Sequence, residues 1–162
     1  LALASRDPIV RTEINTRSAL ATTAAVDLST ALPLVRGMSA SFTDGSLVIS
    51  WQADGSVADA DHGSAVVFFR GTGVAGRWTV VFPTGGGSSY TVSQLPQAFG
   101  VAQAPDLEVS WLGFFEYDWL DYQGAITGGL RTNVQFGPAA ADTTTLDRTW
   151  RSSGQQSLVR GP

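Results

Sequence analysis

Three carboxylates, Asp54, Asp59 and Asp61, crowd one short segment beside the chain's single histidine, His62. Several oxygen ligands on a flexible Gly-containing loop are what a hard cation needs. This segment is therefore the candidate metal site, and calcium is the cofactor it would take. Its spacing lacks the D-x-D-x-D-G order of an EF-hand, and Asp and Gly are equally the residues of solvated turns. A second group sets Glu116, Asp118 and Asp121 among Phe115, Tyr117, Trp119 and Tyr122. Paired carboxylates beside stacking aromatics suit a glycosidase cleft, and Tyr117, Trp119 and Tyr122 alone would suit a glycan platform. Any Ser-His-Asp triad would have to run through His62, and no G-x-S-x-G elbow accompanies it. Gly71-Thr-Gly-Val-Ala-Gly76 matches G-x-G-x-x-G, but a phosphate-binding turn must open a helix. Arg77–Phe82 reads as a strand instead, so a hairpin loop is expected there. Without Cys there is no disulfide or thiolate chemistry. The expectation is a chain with no catalytic centre.

The elements that would position these residues are strands. Ser39–Thr43 and Leu47–Trp51 flank Asp44-Gly45, a pair suited to the positive-φ positions of a tight hairpin. Leu47, Ile49 and Trp51 share one face by two-residue alternation. Ala65–Phe69 is apolar on both faces and reads as a central, covered strand. Trp78, Val80 and Phe82 point one way from the next strand, and Tyr90 and Val92 point inward from the one after. In the long run Leu107–Trp119 the odd positions, with Trp111, Phe115, Tyr117 and Trp119, read as the core stripe. Leu112 and Phe114 then fall on the opposite face, where large apolar residues mark a surface covered by a partner. Leu130, Val134 and Phe136 suggest a last strand. The one helical candidate is Arg17–Leu28, and Thr and Ser weaken it. About seven or eight strands result, an all-β antiparallel sandwich.

Two segments give the core a family resemblance. Leu47-Val-Ile-Ser-Trp51 resembles the second strand of a fibronectin type III or immunoglobulin-like module, with its buried Trp, and Ser88–Leu95 is similar to the fifth. The resemblance spans roughly residues 38–137 and implies a non-enzymatic two-sheet module used for spacing, adhesion and binding. The Tyr expected shortly after Leu95 is missing from Gln97–Val101, and Leu107–Trp119 is long and aromatic for such a module. A viral-type jelly roll stays open as an alternative for the same strands.

Apolar alternation, absent from both ends, divides the chain into three expected parts: an N-terminal arm (1–37), a core (38–137) and a C-terminal arm (138–162). The core carries three Arg against nine acids, while each arm has one more Arg than it has acids. An acidic core repels phosphate backbones, so nucleic-acid binding through it is not expected. No apolar run reaches the roughly 20 residues of a membrane-spanning helix. Leu1 in place of Met leads to the expectation of a processed or trimmed chain. The polar, Ala/Thr/Ser-rich arms hold few large apolar groups, and ordering them costs about 1–2 kcal/mol per residue. Contact with neighbouring subunits, by strand addition or arm exchange, would offset that cost. Arg6, Arg11, Arg17, Arg148, Arg151 and Arg160 would reach onto acidic neighbours, with Leu112 and Phe114 as docking surface. The expected object is a structural subunit associating with copies of itself or other subunits, at a virion surface or outside a cell. The alternative is a secreted module binding glycan or protein through Tyr117, Trp119 and Tyr122.

Overall fold

The computed structural model describes residues 9–17, 27–43, 45–71, 74–92, 106–118, 122–124, 126 and 148–156. Among these residues eight strands carry the fold: β1 (Ile9–Arg17), β2 (Val35–Thr43), β3 (Ser46–Ala53), β4 (His62–Gly71), β5 (Val74–Pro83), β6 (Ser89–Val92), β7 (Asp106–Tyr117) and β8 (Arg148–Gln156). A 3₁₀ turn, Leu28–Thr30, precedes β2 and is capped by Asp27, whose carboxylate accepts from the Ser29 N–H. All pairings are antiparallel, in a five-stranded sheet of order β1-β8-β7-β4-β5 and a three-stranded sheet of order β2-β3-β6. The chain is an all-β sandwich. Among the described residues no helix is long and apolar enough to cross a membrane.

Alternation explains the small sheet. Ala40, Phe42, Leu47, Ile49, Trp51, Tyr90 and Val92 pack inward, while Ser39, Ser41 and Thr91 on its other face are exposed. Gly45, at φ +77°, turns the β2–β3 hairpin as the Asp-Gly pair predicts. Gly71 pairs with Val74, so the G-x-G-x-x-G segment is the β4–β5 hairpin and leads into a strand. Val67, Phe82, Leu112 and Phe114 meet the small sheet from the other side. Trp51 stacks on Phe82 at 5.6 Å and meets Phe114 edge-on at 5.2 Å. Phe82 crosses directly over Gly63, its pairing partner, where a methyl group would lie 2.2 Å from the ring.

Counted from β2, the two segments carrying the resemblance are the second and fifth strands, hydrogen-bonded neighbours in the small sheet. Trp51 is buried, as that resemblance implies. Strands β2–β8 divide between a sheet of order β2-β3-β6 and a run of order β8-β7-β4-β5. β1 is an additional strand beside β8.

Two expectations need correction. First, the arm boundaries at 37/38 and 137/138 do not coincide with edges of the fold. Residues 9–17 and 148–156 are strands of the large sheet, paired residue for residue from Ile9↔Gln156 to Arg17↔Arg148. Hydroxyl groups make this polar ribbon compatible with the body: Thr12 Oγ1 donates to the Leu32 carbonyl at 2.8 Å, and Ser153 Oγ to the Pro33 carbonyl at 2.5 Å. Second, the phase of β7 is reversed beyond Ser110. Val67 pairs with Val109 but Val66 with Trp111, leaving Ser110 as an extra residue, its hydroxyl bonded to the Val66 carbonyl. Such a bulge switches which parity faces inward. Leu107 and Val109 face the core before it, Leu112 and Phe114 after it. The strand expected at Leu130–Phe136 and most of the helix expected at Arg17–Leu28 lie outside the described residues.

Candidate functional site

The carboxylates of the proposed calcium loop serve different partners. Asp54 takes the Arg36 Nε with both oxygens, at 3.1 and 3.0 Å, in an exposed ion pair. Asp61 accepts the Tyr117 N–H at 2.7 Å, and its own N–H donates to the Phe115 carbonyl at 2.8 Å. It thereby clamps the start of β4 to the end of β7. Asp59 is exposed. Among the described residues no three His, Cys, Asp or Glu side chains are gathered to hold a metal. The loop is instead anchored by buried Val57 and Ala60.

Leu112 and Phe114 are each 0% exposed within the inter-sheet core. They are not a docking surface, because the Ser110 bulge turns them inward. Of the residues expected in the core stripe, Trp111, Phe115 and Tyr117 occupy the outer face of the large sheet. There Val66, Trp111 and Phe115 form a second buried cluster with half-buried Tyr117. Trp111 lies flat across Gly113, where a methyl group would meet its indole at 2.6 Å. His62 joins this cluster, 3% exposed, its ring stacked on Phe115 at 5.1 Å and on Tyr117 at 5.7 Å. Its Nδ1 and the neighbouring Ser64 hydroxyl are buried without a hydrogen-bond partner among the described residues. Burial pushes the imidazole down to about 4, so it is neutral at pH 7. Burial, and then the Asp61 carboxylate, holds the Tyr117 phenol well above its ordinary range. Both side chains are buried, His62 at 3% and Ser64 at 0% exposure.

Tyr117 is thus a packed residue, already stacked on the imidazole and lying parallel to Phe115 at 6.2 Å. Trp119 lies outside the described residues. Tyr122 opens a single helical turn, Tyr122–Gly124, and is half-buried. Burial, with Tyr90 as a smaller cause, raises its hydroxyl pKa.

The Arg residues separate into three situations. Arg151, facing the inner side of β8, donates to Glu116 Oε1 at 2.5 Å and to Thr30 Oγ1 at 3.2 Å. It joins β8, β7 and the 3₁₀ turn within one molecule. Arg11 stands exposed on β1, ion-paired with Glu13 at 3.2 Å. Arg17 and Arg148 face each other in the register at the far end of the β1–β8 ladder, and Arg6 and Arg160 lie outside the described residues. Glu13 escaped the sequence reading, although its two-residue spacing from Arg11 places both on one face of a strand.

No protein-family model matches the chain, and neither a curated protein nor a solved structure does.

Proposed function

We propose that this chain is a non-catalytic structural subunit of a larger assembly, a virion capsid or surface protein or a component of an extracellular filament or coat, joined through its terminal strands. One observation carries the reading. Among the described residues β1 is an edge strand, bonded along nine residues to β8, and none of its described side chains enters either buried cluster. A strand attached by its backbone ladder, with little commitment to the core, is suited to joining subunits by edge addition or exchange. Deleting residues 1–17 tests this. The shortened chain is expected to keep the strand-rich circular dichroism of the sandwich and to lose self-association seen in the intact chain. A shortened chain that associates as the intact one does overturns the reading.

The orders β2-β3-β6 and β8-β7-β4-β5 are compatible with an immunoglobulin-like module and favour a second reading, a secreted module binding glycan or protein. On that reading the tryptophan fluorescence of a monomer responds to an oligosaccharide. A glycan panel without response removes it.

A further inference from the structure

We propose that β1 is the seam of a two-fold dimer, in which the large sheets of two copies of this chain meet edge to edge with Thr12 opposite Thr12 of the second copy. β1 borders the large sheet and, among the described residues, has β8 as its one strand partner. An edge strand offers a row of N–H and C=O groups to another strand. Its described side chains leave room for one: Ile9 is 49% exposed, Arg11 and Thr12 are exposed, and Val10, Glu13 and Ile14 are half-buried.

Charge complementarity selects the register and the occupant. Arg11 and Glu13 stand two residues apart on the outer face, already ion-paired at 3.2 Å with side chains 51% and 42% exposed. Antiparallel pairing centred on Thr12 sets Arg11 opposite Glu13 of the second copy, and Glu13 opposite its Arg11. On the other face it sets Val10 opposite Ile14, and Ile14 opposite Val10. Opposite charges and β-branched residues facing one another across strands are both favourable. Centring on Arg11 or on Glu13 places that residue against itself, and centring on Ile14 sets Arg11 opposite position 17, also Arg in the sequence. Of these registers, the one about Thr12 alone is free of like-charge pairs. It also keeps both outer faces on one side, as a self-complementary two-fold contact requires. The contact rests on the assembly reading and gives it a surface.

Sedimentation velocity decides the matter, using the full chain, the variants Arg11→Glu and Glu13→Arg, the double variant R11E/E13R, and an equal mixture of the two single variants. Each single variant fills the seam with like charge and is expected to dimerise roughly tenfold more weakly or worse. The double variant regains the wild-type constant. The mixture forms heterodimers, because the acidic seam of R11E meets the basic seam of E13R. Matching circular dichroism across the set shows that all are folded. Self-association unaffected by either single variant overturns the seam while leaving the assembly reading standing. Exchange of β1 onto β8 of another copy would give that result, since Arg11 and Glu13 then face Gly154 and Ser152. Single variants that weaken with no recovery in the double variant or the mixture also overturn it. A wild-type chain that is monomeric throughout removes the seam and the assembly reading together.

Discussion

His62 makes acid stability a quantitative test of how the outer face of the large sheet is packed. The imidazole is buried against Phe115 and Tyr117 with Nδ1 unpartnered among the described residues, and its folded value is about 4 against an ordinary value near 6.5. Between those two values the unfolded chain binds a proton that the folded chain refuses. Stability therefore rises with pH across this window and is lost as pH falls through it. The linkage gives a loss of about 2 kcal/mol between pH 7.5 and pH 5, with a ceiling of about 3 kcal/mol below pH 4. The perturbation is His62→Phe, which keeps an aromatic ring in the stack and removes the titrating nitrogen. Urea unfolding followed by tryptophan fluorescence at pH 7.5 and pH 5 gives the free energies. The expected wild-type loss exceeds that of the variant by about 2 kcal/mol, and carboxylate contributions common to both cancel in the difference. Equal pH dependence in the two proteins refutes the burial of a neutral His62.

The core makes a second prediction at Gly63. Gly63→Ala drives a methyl group into the Phe82 ring and is expected to cost about 3 kcal/mol. Combined with Phe82→Leu, which makes room, the same substitution costs much less, and a double-mutant cycle in urea measures the coupling. Arg151→Met breaks the half-buried link to Glu116 and Thr30. The expected cost is about 1 kcal/mol at low salt and less at high salt, read from denaturation midpoints. For Tyr117 the raised folded value means a protonated phenol in the fold. Stability is full below an ordinary value near 10 and is lost as pH rises beyond it, when the unfolded phenol ionises. Thermal melts across the alkaline range should show Tyr117→Phe losing less than the wild type.

Much of the sandwich was legible because β3, β5 and β6 each turn one clean apolar stripe inward. Leu47, Ile49 and Trp51, then Trp78, Val80 and Phe82, then Tyr90 and Val92, all face inward as their alternation requires. β7 misled because both of its parities are apolar. No residue type near Ser110 announces the bulge, which is defined only by pairing with Val66 and Val67. β8 was illegible for a different reason. Its described inner residues, Arg151, Ser153 and Gln155, are polar, and two of them are anchored by partners distant in sequence, Glu116 and the Pro33 carbonyl. β1 carried a usable signal in the β-branched Ile9, Val10, Thr12 and Ile14, which its Arg and Thr content obscured. The acidic loop looked like a cation site because Arg36 and the Tyr117 N–H, which engage Asp54 and Asp61, lie far off along the chain.

The assembly claim is tested most directly by the mass of the intact, unlabelled chain from light scattering across a range of concentration and salt. A subunit built to join others through β1 should give a discrete species at a multiple of 17.0 kDa, forming more readily as concentration rises. One 17.0 kDa species at every concentration and salt would contradict it.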